Sequence, residues 1–171
     1  MNGSRKHIIV MAIYLNGRGY GFAVFEGPLA PVDWGVVEVR AKDKRAQLLD
    51  RVREQLGRYV PNVLVVQNML DPRTRRTHRI RRLNESIIEL AEELCIVLAS
   101  YSREEVRRCF EYIGPVNKDR IAAAIAKHIP ELERFVPPRR KPWMSEDARM
   151  GVFDAAALTL TFFHEHGQTG R

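Results

Sequence analysis

The feature that most constrains this chain is the turn Asn16-Gly17-Arg18-Gly19, set between two apolar runs. Residues 8–14 are apolar and β-branched, and residues 20–25 resume the same character. Gly27-Pro28 then turns the chain again before a third run at residues 32–39. Strands joined by so few residues pair antiparallel, because a parallel pair needs a crossover of roughly a dozen residues or more. The chain is thus expected to open as a three-stranded meander.

The periodicity then changes. Leu48, Leu49, Val52 and Leu56 share one helical face over residues 43–58, and Pro61 ends that segment. Residues 63–66 are wholly apolar, as in a central strand covered on both sides. Ile80, Leu83, Ile87, Leu90 and Leu94 predict a helix over 75–93, followed by a buried strand at 95–99. Ser102 and Glu105 form a capping-box pattern, and Asn117 caps a helix reaching 127. Residues 137–143 hold three prolines and three basic residues and read as a loop. A terminal helix over 145–164 follows, with Ser145 as N-cap and Glu146 and Asp147 near the positive end of its dipole. The order predicts an α/β fold across residues 1–171: one mixed five-stranded sheet, with helices on both faces. That is the strand order of the ribonuclease H-like fold, which hosts many functions.

Charge narrows the partners. Twenty-eight Lys and Arg against 21 acids give +7, which favours nucleic acid first and an anionic membrane surface second. The N-terminal apolar run stops at Leu15, too short to span a bilayer. Cys95 and Cys109 lack metal-type spacing and read as reduced thiols of a soluble, cytoplasmic protein.

Four segments in order carry a family resemblance. Residues 13–24, Ile-Tyr-Leu-Asn-Gly-Arg-Gly-Tyr-Gly-Phe-Ala-Val, resemble the opening of the RuvC Holliday junction resolvases, an acid-led D-P-G-x-R-x-x-G-Y/F-G/A-V. Arg18, Gly21 and Phe22 fall on that pattern's arginine, glycine and aromatic. Residues 63–67 are similar to the family's second acid-bearing strand, and residues 114–121, with Lys118, to its glycine-to-lysine segment. Phe153-Asp154-Ala155-Ala156-Ala157-Leu158 is similar to its terminal helix, where D-A-A-D-A-L-A recurs. The resemblance implies a homodimer that grips branched DNA, and hydrolysis of phosphodiesters by two magnesium ions held among converging carboxylates.

The register removes most of those carboxylates. Tyr14 stands at the first aspartate, Gln67 at the glutamate and Gly151 at one terminal-helix acid, so only Asp154 survives. A neutral phenol and an amide are poor magnesium ligands. Asp147, seven residues before Asp154 on the same expected helix face, would lie about 10 Å away. Asp71 and Glu26 sit near strand ends with nothing aiming them at Asp154. The expectation is a DNA-binding protein with weak or no nuclease activity and no cofactor. One rival is a magnesium-dependent endonuclease rebuilt on Asp154, Asp147 and Asp71 or completed by a partner chain. A second is a scaffold for an acidic protein partner.

Arg73, Arg75, Arg76, Arg79, Arg81, Arg82 and His78 crowd ten residues without an acid. Arg75, Arg79 and Arg82 share one expected helix face and could track phosphates, or the face could be solvated with Glu85 and Glu89 pairing Arg81 or Arg82. Arg139, Arg140 and Lys141 beside Trp143 could hold a backbone and stack a base, or Trp143 could pack inward as an anchor. Arg18 and Lys118, with Arg120 nearby, complete the candidate contacts. His164 and His166 read as a frayed helix end rather than a metal pair, and Asn16–Gly19 as a hairpin rather than a phosphate loop.

Overall fold

The computed structural model describes residues 7–40 and 42–167. β1 (Val10–Leu15), β2 (Gly19–Phe25) and β3 (Pro31–Glu38) form the expected antiparallel meander. The first turn is an Asx turn: Asn16 Oδ1 accepts the amides of Arg18 at 2.8 Å and Gly19 at 2.9 Å. A short side chain that bonds its own following backbone fixes such a reversal, so the hairpin reading holds. β4 (Val63–Gln67) and β5 (Val97–Tyr101) add in parallel beside β1, giving the order β3-β2-β1-β4-β5.

Alternation along β1 explains the layers. Val10 and Ala12 face one core, while Met11, Ile13 and Leu15 face the other. The second core is roofed by α1 (Lys44–Tyr59) and α2 (His78–Glu93), through Leu48, Val52, Leu83 and Ile87. The first is roofed by α3 (Arg103–Cys109), α4 (Lys118–His128) and α5 (Met150–Gly167). α5 lies between the sheet and the outer helices, which is why it is apolar almost all round. Its buried Thr159 and Thr161 hydroxyls donate to the carbonyls of Ala155 at 3.1 Å and Ala157 at 2.8 Å. A 3₁₀ turn over Pro130–Phe135, which the pattern did not reveal, closes the far end of α4.

Three expectations need correction. α2 begins at His78, not at residue 75: Thr77 caps it, taking the Ile80 amide at 3.3 Å, and Asp71 takes the Arg73 amide at 2.9 Å. Arg75 therefore lies in the preceding loop and is not aligned with Arg79 and Arg82. α5 begins at Met150, so Ser145 is not its cap. Asp147 Oδ1 instead accepts the Arg149 amide at 2.9 Å, a local bond that competes with helix formation. Asp147 thus precedes the helix and shares no face with Asp154. β5 is not buried either. It is an edge strand paired only with β4, and Val97 is 62% exposed.

Candidate functional site

The site forms where the C-terminal ends of β1 and β4 meet α4 and α5. Tyr14 near the end of β1, Gln67 at the end of β4, Lys118 at the start of α4 and Asp154 in α5 line one pocket of about 580 Å³. On the other side of the Tyr14–Lys118–Asp154 wall, a second groove runs past Arg18, Glu38, Arg76, Glu146 and Gly151. The crossover topology thus brings together four of the positions that the resemblance singled out.

Lys118 is the hub. Its Nζ donates to Glu146 Oε1 at 2.9 Å and to Asp154 Oδ2 at 3.3 Å, and lies 5.3 Å from the centre of the Tyr14 ring. Burial alone would lower its pKa, but Asp154, Tyr14 and Glu146 together raise it, so the ammonium is held charged. Burial pushes Asp154 up to about 6, against the lowering pull of Lys118 and with the help of Glu146. The Tyr14 phenol is also raised, by burial first and then by Asp154. It is neutral at ordinary pH.

Arg76 closes the other side of Tyr14. Its guanidinium stacks 5.2 Å from the ring centre and donates to the Leu15 carbonyl, tying the loop before α2 to β1. Among the described residues, two buried polar atoms here, Gln67 Oε1 and Arg76 Nε, find no hydrogen-bond partner.

Position 151, where the resemblance expects an acid, is sterically constrained. A Cβ added at Gly21 would sit 2.2 Å from the Gly151 carbonyl carbon and oxygen, and one added at Gly151 would sit 3.2 Å from Gly21 Cα. α5 crosses β2 backbone to backbone at this point, which leaves little room for a carboxylate at position 151.

These residues do not fit a magnesium pair. Two divalent ions need several hard, anionic oxygens. This site offers two carboxylates, Asp154 and Glu146, both matched by the Lys118 ammonium, with a neutral phenol and an amide. Asp147 is bound to Arg149 at 2.7 Å, which holds its carboxyl below the usual range, and Asp71 is likewise lowered by Arg73 at 3.1 Å. Among the described residues, no three of His, Cys, Asp and Glu come together as a metal-binding group. The set Asp154, Asp147 and Asp71 is therefore not assembled. Glu146 was missed as a site residue, because its local role near a helix start gave no hint of Lys118, 28 residues away.

The basic residues divide. Arg18, Arg75, Arg79 and Arg82 are exposed and make no ion pair among the described residues. Arg73 is paired with Asp71, and Arg81 donates to the carbonyls of Thr74 at 2.7 Å and Arg76 at 3.2 Å rather than to Glu85 or Glu89. Lys118 is neither a free phosphate contact nor plainly solvated. Arg120, Arg139, Arg140 and Lys141 are exposed, and Trp143 is 79% exposed with Lys141 Nζ 5.4 Å from its ring centre. Trp143 is thus not an inward anchor. His166 stacks on Phe162 at 4.1 Å within α5, which runs past the expected end at residue 164 to Gly167.

No protein-family model and no curated protein matches the sequence. Solved structures do. Thermus thermophilus RuvC in complex with a Holliday junction substrate superposes with a TM-score of 0.68 at 18% identity, over 96% of this chain and 97% of that one. Thermus thermophilus RuvC alone gives 0.67 at 19%, over 95% and 98%. This chain has the RuvC fold. The yeast mitochondrial Holliday junction resolvase Ydc2 gives 0.58 at 13% identity, over 95% of this chain and 82% of that one. Full-length coverage means that the RuvC fold accounts for α4 and the terminal helix as well as the sheet. The ribonuclease H-like expectation is met, with β5 as its exposed edge. No helix among the described residues is long and apolar enough to cross a membrane.

Proposed function

We propose that this protein binds branched or structured DNA through shape and phosphate contacts, and that it does not cleave by the two-metal route. The observation that carries the binding reading is the group of exposed arginines, Arg18, Arg79 and Arg82, without an ion pair among the described residues, around the β1–β2 turn of a RuvC fold. Arginine forks match phosphate oxygens bidentately, and exposed arginines without acid partners are free to do so. The complex of Thermus thermophilus RuvC with a Holliday junction substrate supports branched DNA as the ligand class. A homodimer, placing two such surfaces on a two-fold junction, fits the same reading. Arg139, Arg140, Lys141 and Trp143 add a loop able to hold a strand and stack a base. A cytoplasmic location suits reduced Cys95 and Cys109.

The Lys118–Asp154–Glu146 cluster supports the loss of cleavage, since the ammonium already neutralises the carboxylates that a cation would need. The deciding experiment incubates the protein with end-labelled four-way junction, duplex and single strands, in Mg²⁺ and separately in Mn²⁺. Binding is read on native gels and cutting on denaturing gels, beside Asp154→Asn. Retained junction binding without cuts in either metal is expected. Metal-dependent nicks abolished by Asp154→Asn would establish instead a nuclease that draws Lys118 away from Glu146 and Asp154. Binding to an acidic protein with no affinity for DNA would leave the scaffold reading.

A further inference from the structure

The two grooves flanking the β1–β2 turn differ sharply in charge. The groove above Asp154 holds Arg18, Arg76 and Lys118, but also Glu38, Glu146, Asp147 and Asp154. Across the turn, on the face roofed by α1 and α2, lies an open cleft of about 750 Å³. Six cationic or protonatable side chains line it, Arg18, Lys44, Arg45, His78, Arg79 and Arg82, and none of its lining residues is acidic. Lys44 and Arg45 had no place in any sequence motif.

The fold builds this cleft from three separated pieces. The β1–β2 turn supplies Arg18, while the first turns of α1 and α2 supply Lys44, Arg45, His78 and Arg79. Arg45 is fixed in place: it donates to Ser86 Oγ at 2.7 Å, and that hydroxyl donates to the Arg82 carbonyl at 3.1 Å. Asp43, the acid nearest in sequence, is turned to capping and accepts the Ala46 amide at 3.1 Å. Like charges lining one cleft repel, and an anion bound between them reduces that repulsion. The floor is apolar, through Val39, Leu48 and Leu83, so the field is less screened there than at an open surface.

We infer that this cleft is a phosphate-binding seat, taking either a backbone phosphate of DNA or a free polyphosphate anion. In its DNA form the inference rests on the proposed function. A strand would then cross the Asn16–Arg18 turn, shared by both grooves, instead of lying only over Asp154.

The test uses the full chain, with inorganic pyrophosphate and a four-way junction as separate probes. The Lys44→Ala/Arg79→Ala variant removes two exposed cations, and its urea midpoint checks that the fold is kept. Pyrophosphate is expected to shift the His78 imidazole signals of the parent in NMR spectra and to leave those of the variant in place. Junction affinity is then measured against salt for both. A log–log slope reduced by about two in the variant assigns the seat to the DNA backbone. A pyrophosphate response with an unchanged slope assigns it to a free polyphosphate. A parent that binds pyrophosphate but no DNA removes the proposed function and leaves the seat standing. No His78 response together with an unchanged slope overturns the seat itself.

Discussion

Lys118 and Asp154, 36 residues apart, are joined at 3.3 Å, and the same ammonium reaches Glu146 at 2.9 Å. A fixed cation thus sits among the remaining carboxylates of the site. Its consequences can be measured one by one.

The pH dependence of stability follows from Asp154. Burial lifts its pKa to about 6, above the ordinary carboxylate value, so the native state holds a proton that the unfolded chain has released. Stability from this group is complete below about pH 4 and is lost as pH rises through about 6. Asp154→Asn should be more stable than the parent above pH 6, by about 1–3 kcal/mol. The difference between the two should vanish towards pH 4. Urea denaturation at pH 4, 5 and 7 reads it, and a variant less stable at pH 7 would refute the assignment.

The crossing of β2 and α5 predicts an asymmetric pair. Gly21→Ala places a methyl group into the Gly151 backbone and should cost about 3 kcal/mol or more, since neither backbone can yield cheaply. Gly151→Ala meets Gly21 Cα at a tolerable 3.2 Å and should cost less. Thermal melts of both variants check the order, and equal losses would mean that the crossing relaxes.

Magnesium should stabilise the protein little. A ligand bound only by the native state raises stability by RT ln(1 + [L]/Kd). With Asp154 and Glu146 already neutralised by Lys118, a 10 mM addition of Mg²⁺, roughly the concentration at which weak surface sites fill, should move Tm by less than about 2 °C. Calorimetry with Mg²⁺ and with EDTA decides. A large rise would mean that the cation displaces Lys118.

Arg76 is expected to act through structure before DNA. It ties the loop before α2 to the Leu15 carbonyl and covers the Tyr14 ring, so Arg76→Ala should lower stability by about 1–3 kcal/mol. Arg75→Ala, at an exposed loop position, should stay within about 0.5 kcal/mol of the parent. Urea midpoints separate the two.

Trp143 offers a spectroscopic handle. In a Trp34→Phe background, added single strand or four-way junction should quench its emission, as stacking on an exposed indole requires. Perfect duplex should quench less. Equal emission with every DNA would remove Trp143 from the interface.

The sequence by itself determined the local units. Short turns between apolar, β-branched runs specified the meander, because so few residues can only reverse the chain into an antiparallel pair. Asn16 made its turn, and Ser102 and Glu105 closed their capping box at 2.6 and 3.2 Å, because each bond spans three residues or fewer. That Tyr14, Gln67 and Gly151 stand where the RuvC resemblance expects acids was equally legible. Helix starts were less so. Asp71 and Asp147 drew nearby amides into local bonds, and α2 and α5 begin downstream of their expected starts at residues 75 and 145. The remaining features only the tertiary structure decided: Lys118 between Asp154 and Glu146, Gly21 against Gly151, and the acid-free cleft where the β1–β2 turn meets the first turns of α1 and α2. The first two of these join residues from 28 to 130 positions apart in the chain. Their partners are chosen by how the crossovers pack on the two faces of the sheet, and no short-range pattern in the sequence encodes that choice.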